Sequence, residues 1–227
     1  MNGSASCKSK WMAREIRRLY GDAGVIAGLY ACLRLKLAPI IRIEEYVPRV
    51  GTILDLGCGS GIFASILFLG SSQRSIKGVD VSARRIRTAK LIASGNPNLE
   101  FAEGDVSSFA LERCDAVTVI DLLHHMDFRK QEQLLQKIHD GVSEETLVLI
   151  KDLGKAPWWK YAFHYAQDSL AYRSGLYFRS AAEMQSVLRR IGFEVETISL
   201  AAGYMHPHIL YCCRKGKMNP AGLQRGK

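Results

Sequence analysis

The sequence ILDLGCGSG, at residues 53–61, places three glycines at alternate positions directly after an apolar run. The apolar segment 62–68 follows at once, so the pattern predicts a strand, a glycine-rich loop and a helix. A loop of this kind lets the backbone approach a ligand closely at the N-terminus of the helix. The rest of the chain must therefore supply a sheet that carries the loop and the other walls of a binding crevice.

Short apolar runs rich in β-branched residues alternate with segments of helical periodicity along most of the chain. This alternation predicts a parallel sheet covered by helices. Residues 180–191 then form a predicted helix, and two closely spaced predicted strands after it indicate an antiparallel pair at the far edge. We expect a single α/β domain with a mostly parallel, seven-stranded sheet, whose strands are 52–56, 75–79, 99–102, 116–120, 147–151, 193–200 and 208–214.

Length, charge and cysteine usage limit the class of protein. The 227 residues fit one domain, or one domain with an appendage, and the net charge of +9 suggests an anionic partner: nucleic acid, a membrane surface or an acidic substrate. The six cysteines show neither a CxxC pair nor the spacing of a zinc site, and no secretory signal precedes them. We expect a reduced, cytoplasmic protein without a metal, and no transmembrane helix, because the apolar run 23–33 is too short to span a bilayer.

The glycine loop alone leaves the ligand open between two classes. The dinucleotide fingerprint G-x-G-x-x-G/A fails when it is counted from Gly57 but is met from Gly59, so a pyrophosphate ligand remains possible. A P-loop is excluded, since no Gly-Lys-Ser/Thr follows. Asp55 favours the other class, because a carboxylate at the entrance of the loop repels a pyrophosphate and attracts an ammonium group.

Two further acidic residues follow neighbouring predicted strands. Asp80 ends the second strand, where a carboxylate can accept both hydroxyls of a ribose, and Asp105 follows the third strand, where it could accept from an adenine amine. Each taken singly is also an ordinary turn or helix-terminus residue. Together with the loop they predict a crevice for a ligand that contains adenosine but no phosphate.

The ordered set D-x-G-x-G-x-G, an acidic strand end and G-D-V resembles the class I methyltransferases that use S-adenosylmethionine, over residues 46–214. The resemblance implies a Rossmann-like, doubly wound fold and S-adenosylmethionine as cofactor. It places the glycine loop at the methionine part of the cofactor, Asp80 at the ribose, and Asp105 with Val106 at the adenine. The cofactor-binding residues that it implies are Asp55, Gly57, Cys58, Gly59, Gly61, Asp80, Val81, Asp105, Val106 and Asp121.

The stretch D-x-x-H-H-M after the fourth strand is similar to the "LHH" segment of the small-molecule branch of that family. The resemblance places Asp121, His124 and His125 near the transferred methyl group as candidate catalytic residues. A phenol, alcohol or carboxyl acceptor needs a base for its proton, whereas a carbon or amine acceptor need not use any of the three. Either histidine could instead be a structural residue that donates to a backbone carbonyl.

Three regions lie outside the common core. Residues 1–45 interleave apolar and basic side chains, which predicts a helical N-terminal extension that acts either as a lid over the crevice or as a contact with an anionic membrane. The domain itself is 46–214, with an aromatic-rich insert at about 155–179 that either lines a hydrophobic acceptor pocket or packs as an ordinary helix. Residues 215–227 are expected to be a flexible basic tail.

These features favour methyl transfer to a small, hydrophobic or lipid-like acceptor, with O-methylation preferred. The first alternative is a nucleic-acid (tRNA or rRNA) methyltransferase, which the basic charge favours. Against it, the fourth strand ends in Ile-Asp-Leu-Leu, not in the Asn/Asp-Pro-Pro-aromatic motif of exocyclic amine methylation. The second alternative is a non-catalytic subunit that binds the cofactor. The sequence does not specify an oligomeric state.

Overall fold

The computed structural model describes residues 2–155, 176–204 and 207–216. Three helices come first, α1 (Asn2–Asp22), α2 (Val25–Leu37) and α3 (Ile40–Ile43), followed by a 3-10 turn at Glu44–Tyr46. The elements after them are β1 (Gly51–Leu56), α4 (Ile62–Gly70), β2 (Arg74–Asp80), α5 (Ala83–Ala93), β3 (Leu99–Glu103), β4 (Ala116–Ile120), a 3-10 turn (Leu123–His125), α6 (Phe128–Gly141), β5 (Leu147–Leu153), α7 (Ala181–Ile191), β6 (Phe193–Ser199) and β7 (His208–Lys215).

The seven strands form one sheet in the order β3-β2-β1-β4-β5-β7-β6. Strands β1 to β5 pair in parallel, and β7 pairs antiparallel with both β5 and β6. The predicted α/β fold class is therefore confirmed, with its antiparallel C-terminal edge. The chain order reverses between β1 and β4, and in such sheets ligands bind outside the carboxyl ends of the strands at that point.

Local sequence explains where several helices begin and end. Ser82 is the N-cap of α5, since its side chain accepts from the backbone N–H of Arg85. Ser180 and Glu183 form a reciprocal capping box at the start of α7, and Gly192 ends that helix with φ 116°. β4 is buried along its whole length, as expected for a central strand that is covered on both faces.

The N-terminal helices share their core with the sheet. Met12, Ile16 and Tyr20 of α1 are buried in the same apolar cluster as Ile53 of β1 and Ile66 of α4. The backbones of α1 and α2 approach each other closely, because a methyl group at Gly28 would lie 3.0 Å from the Cα of Gly21. The two helices therefore form a closely packed hairpin on the side of α4.

A buried ion-pair network fixes the segment between this hairpin and the sheet. Glu44 is buried and accepts from Arg74 at 2.8 Å and from Lys8 of α1 at 2.7 Å. The same guanidinium of Arg74 donates to the carbonyls of Val47 and Leu67. Because charged groups are buried only when they are well paired, this cluster sets the position of the extension.

Among the helices that the structure describes, none combines the length and the apolar character needed to cross a bilayer.

Candidate active site

A cavity of about 490 Å³ opens at the carboxyl ends of β1, β2 and β4, where the chain order reverses. Six of the predicted site residues border it: Gly57, Asp80, Val81, Asp105, Val106 and His125. The other predicted residues, Asp55, Cys58, Gly59, Gly61, Asp121 and His124, are not part of its lining. Half of the predicted site residues therefore border one cavity at the ends of the strands.

The glycine loop is held against the end of β2. The backbone N–H groups of Gly57 and Cys58 both donate to the carbonyl of Val79, at 2.8 and 3.0 Å. All three loop glycines have positive φ, a region that other L-residues adopt only with strain. A methyl group at Gly57 would also lie 2.8 Å from a side-chain carbon of Leu122. The conformation accounts for all three glycines, and lack of space adds a second reason at Gly57.

Gly59 and Gly61 allow backbone strain to be separated from lack of space, because their alanine variants should differ in stability. At Gly61 a methyl group would lie 2.7 Å from the Phe101 ring and 3.1 Å from Ala89, whereas at Gly59 the nearest atom is the Cδ of Arg85 at 4.0 Å. Gly61→Ala should therefore lower the free energy of unfolding by about 3 kcal/mol, from overpacking and strain together. Gly59→Ala should lower it by about 1 kcal/mol, from strain alone. Urea unfolding measures both, and equal losses would contradict this assignment.

Asp80 links the loop to the cavity. Its Oδ2 accepts from the backbone N–H of Gly59 and its Oδ1 from that of Ser82, each at 2.9 Å. Since a carboxylate oxygen has two lone pairs, each oxygen can still accept a second hydrogen bond. Asp105 also borders the cavity, with Oδ1 accepting from the N–H of Ser107 at 2.8 Å. Both side chains are thus fixed and retain acceptor capacity.

Asp55 is fully buried at the end of β1. Its Oδ1 accepts from the hydroxyl of Thr118 at 2.6 Å, while Oδ2 has no hydrogen-bond partner within the described residues. Burial raises the pKa of Asp55 to about 7, and the nearby carboxylate of Asp80 adds to the increase. A buried acceptor without a partner is unfavourable, so this position suits a ligand group that donates hydrogen bonds and carries positive charge.

His124 forms a close pair with Asp152 of β5. Asp152 was not among the predicted site residues. His124 Nδ1 lies 2.5 Å from Asp152 Oδ1, and the backbone N–H of His124 donates to Oδ2 at 3.1 Å. Burial lowers the pKa of His124, but the Asp152 carboxylate outweighs this effect and holds that pKa above its usual value. The pair therefore fixes the ring with Nδ1 facing Asp152 and leaves Nε2 as the basic atom.

The turn that carries both histidines is clamped by Gln131 of α6, a buried residue that sequence analysis did not identify. Its amide nitrogen lies within 3.0 Å of the carbonyls of Leu123, Met126 and Tyr177. The backbone N–H of Tyr177 in turn donates to the carbonyl of His124 at 2.9 Å. The histidine turn is thereby held rigidly beside the cavity, with Tyr177 on its border.

Asp121 is paired with two cations. Arg34 of α2 contacts its Oδ2 at 2.8 Å, and the buried ammonium of Lys151 contacts its Oδ1. Although burial alone would raise the pKa of Asp121, the two cations hold it well below its usual range. Asp121 also has a positive φ of 54°, which is rare for a residue other than glycine. Neither cation was predicted, because both pairs join residues far apart in the sequence.

Donor atoms of Asp121, His124 and Asp152 all lie within 4.8 Å of one another, which is close enough for a cation site. Lys151 and Arg34 already supply two positive charges to Asp121, however, and both would repel a divalent ion. We therefore assign no metal to these three residues.

Comparison with known proteins identifies the family. A family model described as a methyltransferase domain matches residues 30–198. The chain belongs to the methyltransferases. The mitochondrial ubiquinone biosynthesis O-methyltransferase of Candida albicans is 34% identical over 101 residues, which cover 40% of this chain and 30% of that protein. The malonyl-[acyl-carrier protein] O-methyltransferase of Halalkalibacterium halodurans is 25% identical over 144 residues, which cover 60% of this chain and 53% of that protein.

Among solved structures, human N-acetylserotonin methyltransferase in complex with S-adenosylmethionine has a TM-score of 0.66 at 20% identity. The match covers 89% of this methyltransferase and 58% of the human chain, and it supports the fold. Our chain spans only about a third to a half of the length of the two curated relatives named above.

S-adenosylmethionine is the cofactor of this family, and the residues present fit it. The glycine loop leaves no room for side chains at Gly57 and Gly61. Asp55 offers a buried, unpartnered carboxylate oxygen within the described residues, as an ammonium group would need. Asp80 and Asp105 border the cavity with acceptor capacity for a ribose and an adenine.

The predicted aromatic insert falls largely outside the residues that the structure describes, and so does the predicted tail beyond residue 216. Of the end of the insert, Leu176 and Phe178 are buried. The Phe178 ring stacks on that of His124, with centroids 5.2 Å apart.

Proposed function

We propose that this methyltransferase transfers the methyl group of S-adenosylmethionine to an oxygen atom of a small, hydrophobic or lipid-like acceptor. The observation that carries the proposal is the His124–Asp152 pair, which lies directly behind His125 at the edge of the cavity. A histidine oriented by a buried carboxylate is the usual arrangement for removing a proton from a hydroxyl group. Methyl transfer to carbon or to a neutral amine does not require such a pair.

The cofactor supplies a methyl group that is already activated by a positively charged sulfur, so the protein must position the acceptor and take its proton. In this proposal Asp152 holds His124 in the tautomer with the proton on Nδ1, and the proton of the acceptor hydroxyl reaches Nε2 by way of His125, which borders the cavity while His124 does not. His125 borders the cavity and shapes the space where the acceptor meets the cofactor.

We do not assign the role of base to Asp121. Arg34 and Lys151 stabilise its ionised form, and a carboxylate with a strongly lowered pKa is a weak base. Its role in the proposal is to hold the cations of Lys151 and Arg34 at the end of β4, next to the histidine turn.

Two observations support a hydrophobic or lipid-like acceptor. The curated relatives named above are O-methyltransferases of ubiquinone biosynthesis and of malonyl-[acyl-carrier protein]. The N-terminal hairpin also reaches the site, because Tyr20 donates to the carbonyl of Ser60 at 2.8 Å and Arg34 contacts Asp121. We propose that this hairpin, which does not border the cavity, influences the choice of acceptor through its contacts with Ser60 and Asp121.

The proposal is tested with isotopically labelled cofactor. Purified protein is incubated with lipid extract, small-metabolite extract or bulk RNA, and the labelled product is identified by mass spectrometry. We expect the labelled methyl group in a small organic product, bound through oxygen. His124→Asn should lose this transfer, while calorimetry should show unchanged affinity for the cofactor. His139→Asn on α6 is the matched control and should retain activity.

Label confined to RNA would assign the protein to the nucleic-acid methyltransferases. Cofactor binding without transfer to any fraction would support a non-catalytic subunit. Full activity of His124→Asn would remove His124 from the mechanism.

A further inference from the structure

The α2 helix presents an exposed apolar face. Spacing in the helix places its members on one side, opposite the buried Ala31. Their exposed fractions are large: Val25 87%, Ile26 73%, Leu29 73%, Tyr30 43% and Leu33 48%. No contact with the described residues covers this surface, which we call the α2 face. A contiguous exposed patch of large apolar side chains usually marks an interaction site.

Basic residues outnumber acidic ones in the N-terminal extension that carries the α2 face. Residues 1–45 contain eight Lys and Arg against four acidic residues, and one of these, Glu44, is buried against Arg74. The α2 helix itself contains no acidic residue, and Lys36 lies exposed on the same side as Leu29. On α1 the basic residues Lys10, Arg14 and Arg17 are exposed and recur at the spacing of one helical side.

The α2 face lies close to the active site. Arg34, one residue beyond Leu33, reaches Asp121 at 2.8 Å. At the end of the helix, Nε2 of His208 donates to the carbonyl of Leu37 at 2.9 Å, which ties α2 to the start of β7. A large object that contacted the α2 face would therefore lie beside the carboxyl edge of the sheet.

We propose that the α2 face docks this protein on an anionic lipid bilayer. Apolar side chains on one side of a helix, with Lys36 beside them and an excess of basic residues in the same extension, match the interface of such a membrane. There the apolar groups enter the acyl boundary and the cations meet lipid headgroups. Docking in this orientation brings the active-site edge to the membrane surface. The proposal concerns binding to lipid and does not depend on which acceptor is methylated.

The experiment is sedimentation of the full chain with vesicles of phosphatidylcholine alone, or of phosphatidylcholine mixed with phosphatidylglycerol. Binding is expected only to the anionic vesicles. It should weaken between about 0.1 and 1 M salt, as the Debye length falls from about 10 to 3 Å. Salt sensitivity would reflect the cations, and residual binding at high salt would reflect the apolar face.

Substitutions separate the two contributions. Ile26→Gln with Leu29→Gln should weaken partitioning by at least about tenfold, since two apolar side chains no longer enter the interface. Leu91→Gln on α5 is the matched control, because Leu91 is 60% exposed outside the α2 face, and it should bind as the unmodified protein does. Lys36→Gln should weaken partitioning by about fivefold, and Lys90→Gln on α5 should have no effect.

Cofactor affinity and thermal unfolding of each variant show that the fold is retained. If the unmodified protein does not sediment with anionic vesicles at either salt concentration, the proposal is wrong. It is also wrong if Leu91→Gln weakens binding as much as the α2 variant does. A dimer in solution that the α2 variant converts to a monomer would assign the α2 face to a second copy of the chain.

Discussion

Asp152→Asn is expected to lower kcat for methyl transfer by about 100-fold to 1,000-fold, because the loss of an oriented base is typically of this size. The amide is neutral, so it no longer stabilises the protonated ring of His124. The affinity for S-adenosylmethionine should change little, since Asp152 pairs with His124 and not with any of the residues that fit the cofactor. Steady-state kinetics and calorimetry measure the two effects separately.

The pH profile distinguishes this role from a structural one. Asp152 raises the pKa of His124, and the base must be neutral to accept a proton, so activity of the unmodified enzyme should rise with pH through that pKa. In Asp152→Asn the pKa of His124 should fall and the acidic limb of the profile should move to lower pH. Asp140→Asn is the matched control, because Asp140 makes a similar but exposed contact, with Oδ1 3.2 Å from Nδ1 of His139 at the end of α6. An unshifted profile in Asp152→Asn would contradict the pairing.

Asp55→Asn is expected to stabilise the cofactor-free protein at about pH 8 by about 2–4 kcal/mol. The pKa of Asp55 is raised in the folded state, from 3.8 to about 7, so the folded protein binds this proton more tightly than the unfolded chain does. Stability of the unmodified protein therefore falls as pH rises from about 4 to about 7, and above pH 7 the whole penalty is present. Asparagine does not ionise and avoids that penalty.

The same substitution should weaken binding of S-adenosylmethionine by about tenfold to a hundredfold, through the loss of a charged hydrogen-bond acceptor for the ammonium group. Denaturant unfolding at about pH 5 and about pH 8, with calorimetric titration of the cofactor, measures both results. A stability gain that is the same at both pH values would show that ionisation of Asp55 is not its cause.

Glu44→Gln is the contrasting control for this measurement. Although burial raises the pKa of Glu44, its contacts with Lys8 and Arg74 outweigh burial and lower that pKa below 4.5. Its ionised form therefore stabilises the fold above that pH and loses this contribution on acidification. Glu44→Gln should destabilise the protein at about pH 8, which is the opposite sign to Asp55→Asn.

The sheet and the crevice could be predicted from sequence because both depend on local signals. Apolar periodicity located all seven strands to within two residues of their observed ends, with β5 extending furthest, to Leu153. Asp80 ends β2, and Asp105 lies two residues past the end of β3. The carboxyl ends of parallel strands meet at one edge of the sheet. Their position at the cavity follows from that rule alone.

The partners of the histidine turn after β4 could not be predicted in this way, because they are set by packing between distant elements. Asp152 lies one residue past the predicted end of the fifth strand, and only the pairing of β4 with β5 brings it to His124. Arg34 reaches Asp121 from a helix 87 positions earlier, since α2 folds back over the sheet. The burial of Gln131 could not be predicted, because no sequence pattern distinguishes a buried glutamine on an amphipathic helix from an exposed one.

The hydroxyl of Tyr20 in α1 donates to the carbonyl of Ser60 in the glycine loop. The part of the chain that must fold together is therefore larger than the part that supplies the cofactor-binding residues. A fragment that began at residue 46 would contain every glycine and carboxylate assigned to S-adenosylmethionine. It would also expose the side of α4 against which Met12, Ile16 and Tyr20 pack. Insertion or loss of residues in the N-terminal hairpin should therefore alter the rigidity of the cofactor loop, even though no hairpin residue borders the cavity.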